Sequence, residues 1–288
     1  MSSAPLKTTG LFLLLAAIFV CIGWLIGGAF GSGWGGMLFF LAIAALLNAI
    51  GYFYGDRLIL RAYKARAASR EEAPRLWMIV NSVAMKAQVP MPKIAIIPTA
   101  TPNAFATGKN PSNATVAVTE GLQRMLGDDE LEGVIAHEMA HIRSRDTLVM
   151  TTAATIAGAI SYAARVAWYG MMFGRRGRGT NPLILLAAMV TAPIAALLIQ
   201  LAISRTREYH ADRVAALTTG KPWALARALE RLEQGNQRPI NGNPATSSLF
   251  IVNPFRGGFG RLFSTHPPTR ERVKRLMSLS QQMGYMVK

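Results

Sequence analysis

The chain has 288 residues, 51% hydrophobic and only 16% charged, with a net charge of +16 and a mean hydropathy of +0.26. That is too apolar for an ordinary soluble domain of this length. The basic residues mostly flank apolar segments, so they read as membrane-surface and topology charges rather than a nucleic-acid footprint, and the single Cys21 excludes an intrachain disulfide.

Leu11 to Phe30 carries no charge and is long enough to span a bilayer, which takes about 20 residues. A second span follows from Trp34 to about Tyr54, after the short uncharged link Gly31-Ser32-Gly33. A cleavable signal peptide is the weaker reading, because the apolar region is long and another span comes at once. Arg57, Arg61, Lys64, Arg66 and Arg70 then place this side, and the N-terminus, in the cytoplasm.

From Ser69 to Val89 the pattern changes to that of a core-facing soluble helix. Ser69 and Glu72 have capping-box spacing, Pro74 suits a first turn, and Leu76, Ile79, Val80, Val83 and Ala84 repeat with helical period. Three short strands are predicted next: Lys93 to Pro98, Asn103 to Gly108, and Ala114 to Thr119.

Gly127-Asp128-Asp129-Glu130 opens a further helix, with acids where the N-terminal dipole favours them. Leu131, Ile135, Met139 and Ile142 form its apolar stripe. It carries His137-Glu138-Met139-Ala140-His141, an H-E-x-x-H motif, and ends near Arg145-Asp146. Each helical residue advances about 100°, so His137 and His141 share a face and can point at one metal ion. Glu138 stands beside the first histidine, where a carboxylate can take a proton from water. Imidazole ligands, an open position for water and a nearby carboxylate are what a zinc hydrolase requires.

Thr147 to Ala164 is again uncharged, followed by Arg165 and an aromatic, Met-rich run to Phe173. Arg175, Arg176 and Arg178 make a basic loop, and Asn181 to Ser204 is a fourth apolar segment kinked at Pro193. That loop opposes the positive-inside tendency if the hairpin crosses. A crossing hairpin is favoured over a shallow or re-entrant one, because the first spans often set orientation. Residues 235–260 are rich in Gly, Asn and Pro around Leu249-Phe250-Ile251-Val252, which suits a lid, a membrane-touching flap or plain disorder. A basic helix closes the chain after Ser264-Thr265-His266-Pro267-Pro268.

Two histidines and a water leave tetrahedral zinc one ligand short. The downstream candidates are Asp146, Glu208, His210 and Asp212. Asp146 follows His141 too closely, on the same helix and out of reach. Glu208 and Asp212 share a helical face while His210 points about 200° away. That pair suits one ligand and one group that orients a ligating imidazole. Glu has the longer reach, so Glu208 is the expected ligand and Asp212 the residue behind a histidine ring. An exposed acid in an Arg-rich helix is the alternative.

The H-E-x-x-H at residues 137–141, the Glu208-x-x-x-Asp212 pair, Asn103-Ala104-Phe105-Ala106 and Thr265-His266-Pro267-Pro268 occur together and in order. In these residues the chain resembles the HtpX family of membrane zinc proteases, relatives of the CAAX prenyl endopeptidases. The resemblance covers nearly the whole chain. It implies a mainly α protein with a small β-sheet: four membrane-embedded apolar helices plus a cytoplasmic, gluzincin-like zinc protease domain. The division is then 1–56 for the first membrane hairpin, 57–146 for the first part of the protease domain, 147–204 for the second hairpin, and 205–288 for the second part.

By the same resemblance His137, His141 and Glu208 hold one Zn2+ per chain and Glu138 is the catalytic carboxylate. His266 and Arg207 are the candidates for oxyanion or substrate contact, although a histidine before Pro-Pro is more often a helix-entry residue. Asn103, Ala104, Phe105 and Ala106 are the candidate strand for pairing with substrate backbone. The implied activity is endoproteolysis of misfolded or damaged membrane proteins at a bacterial inner membrane, with the lipid bilayer as the other partner and no nucleic acid. CAAX-type processing of prenylated tails and an inactive scaffold or transporter are the rivals. A transporter would place ionisable residues within its spans, where only Arg165 comes close.

Overall fold

The computed structural model describes residues 4–29, 31–173, 205–235, 249–251 and 267–284. Their fold is mostly helical around one small mixed sheet. Two helices, α1 (Ala4–Ala29) and α2 (Gly33–Ala62), form an antiparallel hairpin. The turn is closed by Gly31, at φ +82°, and by Ser32, whose Oγ accepts the Gly35 N–H. The helices meet along a glycine seam: a Cβ on Gly27 would lie 2.7 Å from Gly36 Cα, so only glycine allows this approach. Leu13, Leu25, Leu38, Phe39 and Leu46 face outward and exposed.

Among the described residues, these two helices are long and apolar enough to cross a membrane. The second does not stop near Tyr54, as the sequence suggested, but continues to Ala62 and carries Arg57 and Arg61. At about 1.5 Å per residue it outreaches a hydrocarbon core of about 30 Å.

The sheet follows. Strands β1 (Arg66–Ala67), β2 (Lys93–Ile97), β3 (Ala104–Gly108) and β4 (Ala114–Thr119) lie in the order β1-β2-β4-β3. The central pair is parallel, with Lys93 opposite Thr115 and Ile97 opposite Thr119; both outer strands are antiparallel. Alternation divides the sheet's side chains between two cores. Ile94, Ile96, Ala104, Ala106, Val116 and Val118 face the helical domain, against α3 (Pro74–Ala87) and α5 (Asp128–Ser144). Ala95, Ile97, Phe105 and Ala117 face the other way, against Leu11, Leu15, Ile59 and Tyr63 of the hairpin and its end and the start of α6 (Asp146–Phe173). The sheet therefore joins the hairpin to the domain that carries the motif.

Three local features differ from the sequence reading. Ser69 and Glu72 do exchange reciprocal bonds, but they close a turn; the helix itself starts at Pro74. The two-residue β1 carries too little alternation to be predicted. Arg145 adopts a left-handed conformation at φ +61°, which ends α5 and lets Asp146 begin a separate helix. The short α4 (Glu120–Met125) follows β4, and the described helices after α6 are α7 (Arg205–Thr219), α8 (Pro222–Gly235) and α9 (Thr269–Gln282). The fourth apolar segment and the loop with Arg175, Arg176 and Arg178 lie outside the described residues, as does His266.

Candidate metal centre

Helix α5 is capped at its start by Glu130, whose carboxylate accepts the Gly127 N–H at 3.0 Å. The sequence showed one apolar stripe; in the structure every residue from Leu131 to Ile142 is buried. Leu131, Ile135, Met139 and Ile142 anchor the helix, each worth about 1.5–3 kcal/mol relative to exposure. The opposite face meets α7, and this enclosure takes the two histidines out of water.

His137 and His141 approach each other at 3.2 Å between their Nε2 atoms. Glu208, on α7, brings Oε1 to 3.4 Å from His141 Nε2 and Oε2 to 3.7 Å from His137 Nε2. One donor atom from each of the three lies within 4.8 Å of the others, and all three side chains are buried. Two imidazoles and a carboxylate with their lone pairs converging on one point suit a borderline-soft divalent cation such as zinc.

Each imidazole is held from behind. Asp212 Oδ1 is 2.9 Å from His137 Nδ1. Asp212 is in turn held by the fully buried Arg272 of α9, which donates from Nε at 2.8 Å and Nη2 at 2.7 Å. On the other side, Asp146 Oδ2 stands 3.5 Å from His141 Nδ1. Asp146 accepts from Ser144 Oγ at 2.8 Å and from Arg207 Nη1. Such carboxylates fix which ring nitrogen faces the metal.

This placement corrects the reading of Asp146. It is not on the helix of His141, because Arg145 redirects the chain and turns the carboxylate back towards the ring. Arg207 lies against Asp146. His210 is exposed on the far side of α7.

Glu138 is buried and accepts a hydrogen bond from the Ala106 N–H. Burial pushes its carboxyl up to about 7, and the charge of Glu208 adds to this. Burial also holds the His137 imidazolium down to about 4, against the pull of Asp212. For His141 burial opposes the charge, but Asp146, Glu208 and Glu138 outweigh it and raise the pKa to about 9. Burial disfavours the Asp212 charge too, yet Arg272 holds that carboxyl down at about 2.

Strand β3 forms the adjoining wall. Thr119 N–H donates to Asn103 O at 3.0 Å, so Asn103 and Phe105 face β4 while the backbones of Ala104 and Ala106 face away. Ala106 reaches Glu138, and Ala104 O accepts the Ile251 N–H at 3.3 Å. Asn103 is fully buried, its side chain turned to the Ala104 N–H at 3.0 Å. Phe105 points to the hairpin side, packed on Tyr63 and Phe250.

Arg272 was missed by sequence reasoning. The available signal was its place in a buried i, i+4, i+8 row with Leu276 and Ser280, where a charge needs a partner.

Residues 70–280 match the profile described as peptidase family M48. The chain is 51% identical to a protein named "Protease HtpX homolog" from Thermococcus sibiricus over 290 residues, covering 97% of each. It is 52% identical to a protein of that name from Pyrococcus furiosus, covering 96% of each. A third of that name, from a Nostoc species, is 47% identical over 96% of this chain and 97% of its own. Among solved structures, the crystal structure of S. mikatae Ste24p matches with a TM-score of 0.48 at 19% identity, over 94% of this chain and 64% of that one.

Proposed function

This chain belongs to peptidase family M48, and we propose that it is a membrane-embedded zinc endoprotease that cleaves misfolded or damaged membrane proteins on the cytoplasmic side. The observation that carries the reading is the convergence of His137, His141 and Glu208 within 4.8 Å, with the buried Glu138 beside them. The three donors are those of a gluzincin-like site. Zinc held there supplies the Lewis acidity that activates water near neutral pH and polarises a carbonyl. Glu138, buried beside the three donors, would take the proton from the attacking water and pass it to the leaving amine. Asp212 and Asp146 keep the two rings aimed inward. The outward edge of β3, where Ile251 bonds to Ala104 O and Glu138 accepts the Ala106 N–H, is the edge on which an extended substrate can add as a strand once it displaces Ile251. Main-chain pairing tolerates varied side chains, as the removal of damaged proteins requires.

The same geometry supports the membrane arrangement. His141 precedes residues 147–204 and Glu208 follows them, yet both face one point. In this reading that stretch crosses the bilayer an even number of times, two or none, and the basic residues at the end of α2 and just after it favour the cytoplasm as the shared side. The full reading is four membrane-embedded helices in a bacterial inner membrane. Its test is casein hydrolysis by the detergent-purified, zinc-loaded chain and by Glu138→Gln. Activity should fall by at least about 10²-fold in the variant, the scale of a lost general base. Equal rates would remove Glu138 from the reaction.

A further inference from the structure

A cavity of about 370 Å³ opens between the hairpin and the domain that carries the metal centre. Phe12 and Tyr52 form its aromatic wall, their rings edge to face at 6.4 Å. Lys109, at the β3–β4 turn, and Arg145, between α5 and α6, bring two cations to it; Thr8 and Thr9 add hydroxyls. Among the described residues no carboxylate lines this cavity.

Both cations lack an acidic partner among the described residues. Asp146, next to Arg145 in the chain, is turned inward to His141 and Arg207. Lys109 Nζ rests 5.0 Å from the Phe53 ring and 5.7 Å from the Tyr52 ring. Aromatic rings hold an ammonium in place without neutralising it. Two cations around one cavity, with the Thr9 hydroxyl beside them, are a donor set for a phosphate.

Position selects the source of that phosphate. Thr8 begins the apolar window of α1, which runs to Leu25. Leu13 and Phe53, next in the chain to the lining Phe12 and Tyr52, are exposed apolar side chains, as are Leu6 and Tyr54. A free phosphate would use the cations and leave these side chains in water. A phospholipid uses both, with its headgroup on Lys109 and Arg145 and its acyl chains along the exposed face of the hairpin.

We propose that this cavity binds the phosphate headgroup of an anionic membrane phospholipid. The site rests on the membrane reading above. Bound there, the headgroup pins the Arg145–Leu148 turn, and so the end of the helix that carries His137 and His141, to the bilayer surface.

The test uses the full chain reconstituted in phosphatidylcholine vesicles containing phosphatidylglycerol, then exchanged into mild detergent. Retained lipid is counted per protein by native mass spectrometry. Wild type should keep phosphatidylglycerol in preference to phosphatidylcholine. Lys109→Gln/Arg145→Gln should lose that preference by about tenfold or more, the scale on which paired juxtamembrane cations act. Arg57→Gln/Arg61→Gln removes equal charge from exposed positions of α2 and should retain it. Lys109→Arg/Arg145→Lys should also retain it, which separates lost charge from lost folding. Equal losses in both Gln pairs would mean diffuse attraction and overturn the site, as would full retention by the cavity variant. Thermal protection by inorganic phosphate alone, matching that by phosphatidylglycerol, would overturn the lipid assignment. Resistance of the vesicle-bound protein to alkaline extraction reports the membrane reading separately, because it survives loss of the headgroup site.

Discussion

The two flanks of the metal centre are built differently. Behind His137, Asp212 sits at 2.9 Å and is clamped through two bonds by Arg272, all of it buried. Behind His141, Asp146 stands at 3.5 Å, at the start of a helix, supported by Ser144 and a partly exposed Arg207. The first flank is a closed charge network spanning α5, α7 and α9. The second depends on one left-handed residue, Arg145. A buried charge pair contributes less by its own strength than by what is left when one member is removed.

The largest effect should therefore come from Arg272→Ala. It leaves Asp212 buried without its main counter-charge, and should cost about 3–5 kcal/mol in denaturant unfolding of the metal-free protein. Asp212→Asn keeps the shape and should lower metal affinity by about 10–100-fold. Asp146→Asn should act in the same direction but by less than Asp212→Asn, because its contact is longer and its surroundings are wetter. Equal losses in the two Asn variants, read by metal titration, would erase the distinction between the flanks.

Protonation sharpens the contrast. In the metal-free protein His141 holds its proton up to about pH 9, whereas His137 releases its own near 4. A metal entering between pH 7 and 9 must displace the His141 proton. Its affinity should rise about tenfold per pH unit up to about 9 and level off above. Calorimetry in buffers of different ionisation enthalpy measures that proton. The sign for stability is opposite: a pKa raised from 6.5 to about 9 stabilises the metal-free fold fully below 6.5, and this is lost as pH rises through 9. Asp146→Asn should move the affinity plateau to lower pH, since Asp146 supports the His141 charge. The smallest effect belongs to His210→Ala. That side chain is exposed and its loss should leave metal content and activity near wild type.

How much of this was legible in the sequence depends on the range over which each feature is determined. That His137 and His141 share a face, and that Glu208 and Asp212 share another, is fixed by helix periodicity within four residues. The three longer strands were legible because each is a short apolar run bounded by Pro, Gly or Asn. Asp146 was not legible, because the backbone angle of its neighbour Arg145 decides where it points, and arginine gives no sign of a left-handed turn. Arg272 was not, because its partner lies sixty positions earlier in the chain and only packing brings them together. The contact of Ile251 with the open side of β3, and of its carbonyl with Arg272, has the same long-range origin. The Ser69 and Glu72 pattern was real chemistry at the wrong place, since Ala73 and Pro74 delay the helix past the turn that they close.

The most direct measurement of the central claim is metal bound per chain after dialysis, on Glu138→Gln and Glu208→Ala side by side. If one ion is shared by His137, His141 and Glu208, Glu138→Gln should keep a full complement while inactive, and Glu208→Ala should lose most of it. Full metal retention by Glu208→Ala would contradict a centre built between α5 and α7.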